Sequence, residues 1–218
     1  MQKNKAALSL AAVFIIASVL SSCTPAVKTP GTPETPEAQV PVTKDDISLY
    51  YPLKVGNEWI YDGEGNEYAS YTQKVTYSKD NKFQVMIDNG GTRSANIYAV
   101  KDDALVHTYI EGEVYDEKNV LDMEENFDET IIKLPIEVGN KWVSSENSYE
   151  IIDINASVTV PAGTFQDCIV IKEVYKDKTA YRNYYIKKGV GLVKSEYKTN
   201  DGFTVSSLLK SYKLVDEQ

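Results

Sequence analysis

The sequence predicts an all-β fold, with antiparallel sheet structure formed by two duplicated units of roughly 80 residues each. Runs of strand length, rich in Tyr, Val, Ile and Thr, are separated by turn signals roughly every 8–12 residues, which is typical of antiparallel structure. The expected architecture is a curved sheet or half-barrel, or a sandwich, with at most one short helix. The predicted strands lie within 75–87, 95–100, 104–110, 148–160, 168–175, 182–188, 191–197 and 203–215.

One phrase near the start of the predicted β domain occurs twice. PLKVGNEW at 52–59 returns as PIEVGNKW at 135–142, and five of the eight positions are identical. In each copy a proline begins an extended run, and a Gly-Asn pair, which tolerates positive φ, turns the chain. The expected turn residues are Gly56, Asn57, Gly139 and Asn140. The phrase therefore predicts the opening turn of two copied β units.

Each copy of the phrase ends in a tryptophan, Trp59 or Trp142. We expect both indoles to be core anchors, each closing one unit, because copied positions usually preserve the scaffold. The alternative is that the two rings are stacking platforms for a ligand.

A second match supports the duplication. NIYAVKDDALVH at 96–107 aligns without gaps with NYYIKKGVGLVK at 183–194, at an offset of 87 residues against 83 for the tryptophans. The second copy therefore holds four extra residues, which we place near PAGTF at 161–165. The predicted domain spans 47–218, with repeat unit one at 47–130 and repeat unit two at 131–218.

The segment 119–133 connects the two units. Met123, Phe127 and Ile131 are spaced by four residues, which favours a short helix, but the segment is also acidic enough to be a solvated loop. The sequence leaves both possibilities open.

The N-terminus, MQKNKAALSLAAVFIIASVLSSC, has the pattern of a signal peptide over residues 1–22. Lys3 and Lys5 precede an uncharged apolar stretch at 6–19 that is too short for a membrane span, which needs roughly 20 residues. LSSC at 20–23 resembles the lipobox of bacterial lipoproteins. The resemblance implies that cleavage falls before Cys23 and that its thiol carries the lipid, including palmitate. The alternative is a plain secretory signal with an incidental cysteine.

Residues 23–46 are a predicted tether rich in Pro and Thr. Five of the eight prolines of the chain fall here, and no apolar periodicity is present. Proline removes backbone donors and favours extended geometry, so this segment is expected to hold the domain away from the membrane. Threonine next to proline is also compatible with O-glycosylation.

Charge narrows the range of partners. Removal of residues 1–22 takes away two lysines and no acid, so the net charge goes from −9 to −11. Such a chain repels phosphate backbones, so we expect no nucleic-acid partner. We expect contact with the membrane through the lipid anchor, an extracytoplasmic location at the inner or the outer membrane, and an unknown protein or small-molecule partner.

No catalytic residue, metal site or cofactor is predicted. His107 is the only histidine and is expected at the surface of a strand, and Cys168 is the only cysteine besides Cys23. One His and one free Cys cannot build a zinc site. Acidic residues are frequent at 111–129, and DGEGNE at 62–67 has alternating oxygen ligands like an incomplete calcium loop, but solvated loops are the expected state of both.

The segments YYPLKVGNEWIY, VPAGTFQDCIVI and YYIKKGVGLVKSEY resemble uncharacterised bacterial lipoproteins and secreted proteins. The resemblance covers most of residues 50–200 and implies a β fold without assigned chemistry.

Three function classes remain open at this level. The first is a tethered, non-enzymatic binding or interaction module at the cell envelope. The second is a half-barrel carrier of an apolar ligand or lipid, which needs an inward face that side chains leave unfilled. The third is a carbohydrate-binding or carbohydrate-active domain that uses tyrosines and acidic residues.

Overall fold

A computed structural model of the protein describes residues 46–216. This part of the chain contains two 3-10 helices, Ile47–Leu49 and Glu67–Ala69, and no α-helix. Everything else is strand, turn or loop. The strands are β1 (Glu58–Glu64), β2 (Tyr71–Lys79), β3 (Lys82–Asp88), β4 (Arg93–Lys101), β5 (Ala104–Glu111), β6 (Glu129–Lys133), β7 (Lys141–Ser144), β8 (Asn147–Val160), β9 (Gly163–Val174), β10 (Ala180–Lys187), β11 (Gly191–Thr199) and β12 (Thr204–Lys213).

All twelve strands form one antiparallel sheet that is nearly closed into a barrel. The order is β6-β5-β4-β3-β2-β1-β12-β11-β10-β9-β8-β7, so each half of the chain is a six-strand meander. The prediction of an all-β antiparallel fold is confirmed, and the curved sheet is adopted rather than the sandwich. Register shifts occur in several ladders, for example at Ile60/Tyr61 and at Ile97/Tyr98. Such bulges bend strands and increase twist, which helps the sheet to roll up.

The two meanders meet at two seams of different kinds. At the first seam β1 and β12 form a regular ladder, from Glu58 opposite Lys213 to Glu64 opposite Ser206. At the second seam β6 and β7 face each other as the two ends of the sheet. Side chains join them there, because the amide of Thr130 donates to Ser144 Oγ at 2.7 Å.

One end of the barrel, which we call the packed end, is lined by apolar side chains. The segment before β1 contributes Ile47 and Leu53, and strands of both halves contribute residues such as Ile151, Ile186 and Leu209. The long β8–β9 hairpin closes over this end, since the amide of Ala162 at its tip donates to the carbonyl of Leu209 at 2.9 Å. The extra residues near 161–165 thus lie in a hairpin that packs across the barrel.

The outer face of the first half is covered by the loop between β5 and β6. Val114, Val120 and Leu121 pack on the outward side chains of β3, β4 and β5. The side chain of Gln84 fixes this loop, because its amide donates to Lys118 O at 2.7 Å and accepts from Val120 N at 2.8 Å. Of the two alternatives for 119–133, the loop is therefore adopted, and its last residues form β6 rather than a helix.

No helix within residues 46–216 is long and apolar enough to cross a membrane.

Candidate functional site

The other end of the barrel, which we call the open end, holds a cavity of about 460 Å³. Ligand pockets usually measure roughly 300–1,000 Å³, so this space suits a small molecule. Tyr68 is 56 % exposed at its rim. The wall is mostly aromatic and polar, and it comes from both halves of the chain. Its residues are Tyr51, Asn66, Tyr68, Ala69, Tyr71, Gln73, Ile87, Tyr98, His107, Glu129, Ile131, Arg182, Tyr184, Leu192, Ser195, Tyr197, Val205 and Ser207.

A chain of hydrogen bonds runs beside the cavity and across the second seam. Tyr149 lies between two carboxylates, with its hydroxyl 2.7 Å from Glu129 Oε1 and 3.0 Å from Glu173 Oε1. Glu173 also accepts from Tyr184 Oη at 2.7 Å and from Asn147 Nδ2 at 2.7 Å. The buried Glu173 thus has two neutral donors of its own and shares the single hydroxyl proton of Tyr149 with Glu129, which is how a buried carboxylate avoids being left without partners.

Arg182 contributes a positive charge to the cavity wall. Its guanidinium lies over the rings of Tyr184, at 5.9 Å, and Tyr197, at 5.6 Å. Within residues 46–216 it makes no ion pair. Cation–π contacts of this kind stabilise a guanidinium while leaving its planar N–H groups available to a ligand.

Several polar groups of the wall have no hydrogen-bond partner within the part of the chain that the structure describes. Gln73 is 5 % exposed and Tyr98 is 8 % exposed, yet the side-chain amide of Gln73 and the hydroxyl of Tyr98 bond to no protein atom. The hydroxyls of Tyr51 and Tyr71 are in the same situation. These polar atoms are not sealed inside the protein, because among the described residues Asn183 Oδ1 is the buried side-chain atom that lacks a partner. They open onto the cavity, where a ligand can form hydrogen bonds with them.

Burial sets the protonation of the cavity at neutral pH. It raises the pKa of Tyr51 to about 12 and raises the pKa of Tyr98 as well, so these hydroxyls keep their protons. Burial also raises the pKa of Glu129, against the hydrogen bond from Tyr149, which lowers it. The pKa of His107 falls to about 4, because burial outweighs the bond to the carbonyl of Tyr109. The imidazole is therefore neutral.

The two tryptophans lie in the core and each also bonds to the other unit, whereas the closing of one unit by each of them stays a prediction. Trp59 Nε1 donates to the carbonyl of Val190 in the second unit at 2.7 Å. Trp142 Nε1 donates to the carbonyl of Thr130 in the first unit at 3.0 Å. The strand order is the reason, since β1 lies against β12 and β7 lies beside β6. Each indole consequently links the two units across a seam.

The repeated turns make matching hydrogen bonds. Gly56 N donates to Val75 O in the first copy, and Gly139 N donates to Ile151 O in the second. Their φ angles are +95° and +93°, a region that glycine enters without strain. Asn57 and Asn140 each donate from Nδ2 to the carbonyl of the proline five residues earlier. The duplication itself stays a prediction, but the two phrases have the same local geometry.

His107 was expected at the surface, and this is wrong. It points into the barrel with Leu105, two residues earlier on β5, and its ring stacks on Tyr98 at 4.7 Å. Phe127 covers it from another side at 4.6 Å. The alignment with Lys194 is misleading here because the two ladders shift register at different positions, between Ile97 and Tyr98 in β4–β5 and between Tyr185 and Ile186 in β10–β11.

The remaining candidates do not contribute to the cavity. Cys168 is free and fully buried, and burial raises the pKa of its thiol. Cys23 lies outside the described residues. The segment 62–67 was expected to be a solvated loop, but Asp62 to Glu64 are the end of β1, and the Asn66 side chain caps the helix Glu67–Ala69. Between Asp46 and Asp216, no group of three or more His, Cys, Asp and Glu side chains is arranged to hold a metal ion.

A second pocket, of about 550 Å³, lies at the packed end. It is lined mainly by apolar side chains of the first half and of the segments that flank it, including Leu49, Leu53, Phe83, Leu105 and Val215. It differs in character from the cavity at the open end, which is rich in tyrosine and charged groups.

The sequence did not single out Gln73, Tyr98, Glu129 or Arg182. These residues lie on four different strands or their ends and converge only when the sheet rolls up. One signal was available. Arg182 is one of only two arginines, and it stands inside a strand run where the alternation places it on the inward face.

The structure defines a class of protein: a nearly closed, twelve-stranded antiparallel barrel with a polar, aromatic cavity at one end. No family model matches the chain, and no curated protein matches it. Two solved structures are similar. One is a protein of Bacteroides fragilis described provisionally as exported, with a YmcC-like fold; it is 14 % identical, with a TM-score of 0.46, over 76 % of this chain and 99 % of its own. The other is described provisionally as a lipoprotein of Parabacteroides distasonis, at 14 % identity and a TM-score of 0.41, over 76 % of this chain and 98 % of its own.

Proposed function

We propose that this chain is a lipid-anchored, extracytoplasmic binding protein that takes a small polar ligand into the cavity at the open end and does no chemistry on it. The observation that carries the proposal is the set of polar groups that line the cavity without a protein partner, above all those of Gln73 and Tyr98. A ligand in this cavity can form hydrogen bonds with these groups, and such bonds are stronger in a site of low dielectric than in water.

The carboxylates support binding rather than catalysis. Glu173 already accepts hydrogen bonds from Tyr184 and Asn147, and the single hydroxyl proton of Tyr149 lies between Glu173 and Glu129. Such engagement suits a fixed scaffold for a ligand better than an acid or a base that must move protons. The net charge of −11 after removal of residues 1–22 also argues against nucleic acid as the ligand.

A test of cavity binding uses Ser195→Trp, which places an indole into the wall of the cavity. Thermal melts of the purified protein are recorded with a panel of monosaccharides, amino acids, dicarboxylates and nucleosides. A true ligand near 100 times its Kd is expected to raise Tm by about 5 °C or more, and Ser195→Trp removes this shift. Ser211→Trp, at an exposed position of β12, is the matched control and keeps it. A panel without any shift, or a shift that survives Ser195→Trp, overturns the proposal.

The second candidate function is a carrier of an apolar ligand, and the apolar pocket at the packed end favours it. The same melts with palmitate distinguish the two functions. A palmitate shift that persists in Ser195→Trp but disappears in Leu49→Glu, at the rim of the apolar pocket, supports the carrier.

Lipid anchoring is tested at Cys23. We expect labelled palmitate to be incorporated into the full-length protein in a bacterial host, and Cys23→Ser to abolish the labelling, because the thiol carries the thioether-linked diacylglyceryl group. A diacylglyceryl group supplies two chains, which anchor stably where one chain binds only marginally. Cys168→Ser is the control and should label normally. Equal labelling of Cys23→Ser would contradict the anchor.

A further inference from the structure

We propose that the ligand of the open-end cavity is a neutral, hydroxylated ring of the saccharide type. The inference rests on the proposed binding function and names the chemical class that the cavity recognises.

The unpartnered groups of the wall both donate and accept hydrogen bonds. The hydroxyls of Tyr51, Tyr71, Tyr98 and Ser195 and the amide of Gln73 all have this dual capacity. A sugar hydroxyl has the same dual capacity, so adjacent hydroxyls of one ring can satisfy several of these groups together. An apolar ligand in this cavity would displace solvent and leave every one of them without a partner, which is costly for buried groups.

The aromatic surfaces of the cavity are held rigidly from behind. Tyr71 stacks on Tyr61 with ring centroids 4.5 Å apart, and the hydroxyl of Tyr61 is itself fixed to the carbonyl of Leu192 at 2.9 Å. Tyr98 stacks on His107 in the same way. Ring faces carry negative charge density, so they pack well against the polarised C–H groups of a saccharide ring.

The charges of the cavity favour a neutral ligand. Arg182 is positive, whereas Glu129 lines the same wall and Glu173 lies directly behind Tyr184. The formal sum of the three groups is −1, so a carboxylate or phosphate ligand would meet little net attraction. Arg182 and Glu129 instead offer a planar donor and a planar acceptor, each able to bond two neighbouring hydroxyls of one ring.

The test compares matched ring compounds with the intact protein by calorimetry and saturation-transfer NMR. The probes are glucose, galactose and N-acetylglucosamine, with cyclohexanol as a ring of similar size lacking the other hydroxyls and glucuronate as its anionic counterpart. We expect at least one sugar to bind about tenfold more tightly than cyclohexanol and glucuronate.

Two variants remove hydrogen bonds from opposite parts of the wall. Tyr98→Phe keeps the ring, and Gln73→Leu keeps the approximate size of the side chain, so each should weaken sugar binding about tenfold. Tyr212→Phe, at an exposed tyrosine of β12, is the matched control and should leave the affinity unchanged. If Gln73→Leu does not fold, Tyr98→Phe decides alone.

The inference is overturned if none of the sugars binds at roughly 10 mM, if glucuronate or cyclohexanol binds as well as the sugars, or if Tyr98→Phe has no effect. Its failure is distinguishable from failure of the proposed function. A ligand of another class whose binding is lost in Ser195→Trp keeps the function and rejects the sugar, whereas no binding sensitive to Ser195→Trp rejects both.

Discussion

Trp59→Ala is expected to lower the free energy of unfolding by about 3–5 kcal/mol, the usual cost of truncating a large buried aromatic side chain. Trp59 is 2 % exposed and packs in the core of the packed end. Its indole also satisfies the carbonyl of Val190 across the first seam. The truncation therefore opens a cavity and leaves a polar group of the other unit without its partner.

Urea titration measures this loss, and two further variants separate its causes. Trp59→Phe keeps most of the apolar volume but lacks the indole N–H, so its cost isolates the bond to Val190 and should be smaller. Tyr212→Ala removes an aromatic ring that is 42 % exposed and should cost less than about 1 kcal/mol. A loss below about 1 kcal/mol for Trp59→Ala would refute its role as a core anchor.

The second large effect concerns pH and His107. In the folded protein burial lowers the pKa of this imidazole to about 4, whereas the unfolded chain binds a proton near 6.5. Between these values the unfolded state holds more protons, so stability falls as the pH falls. The loss should reach roughly 3 kcal/mol by pH 4, the equivalent of the shift in pKa.

His107→Phe removes the titrating group while retaining a ring between Tyr98 and Phe127. The measurement is the free energy of unfolding of wild type and variant at pH 7 and at pH 4. We expect the variant to lose less stability than the wild type between pH 7 and pH 4. Glu129 is the cross-strand partner of His107 and affects stability in the opposite direction. Because the folded state raises the pKa of Glu129, the stability that this group contributes is lost as the pH rises through the raised pKa. Repeating the comparison in a Glu129→Gln background removes this contribution. A difference in stability between wild type and His107→Phe that does not change with pH would contradict the role of His107 as the titrating group.

The fold was predictable where local pattern and tertiary position agree. The strands from β2 to β5 and from β8 to β12 fall on the predicted runs because β-branched and aromatic residues fill the strands and turn residues separate them. The segment 119–133 left a helix open because Met123, Phe127 and Ile131 are spaced by four. In the structure Met123 is 46 % exposed, Phe127 packs against His107, and Ile131 lines the cavity. The spacing therefore does not reflect one helical face.

The cavity was far less predictable, because it depends on closure of the barrel. Gln73 and Arg182 are more than a hundred residues apart, and no local pattern connects them. The repeated phrase is prominent through its identity, yet its residues organise turns and seams, and none of them lines the cavity. The wall of the cavity combines Tyr98 and His107 from the first half of the chain with Arg182 and Tyr184 from the second.

The second seam has a consequence for the behaviour of the protein among its own copies. β6 and β7 end the sheet, and strands at the edge of a sheet offer free backbone groups on which another chain can template a strand. Both are short, with five and four residues, and they face each other. Trp142 and Ser144 occupy part of the free edge of β6 through the backbone groups of Thr130. The nearly closed barrel thus protects both edges from pairing with another chain, although β6 and β7 do not form a ladder with each other.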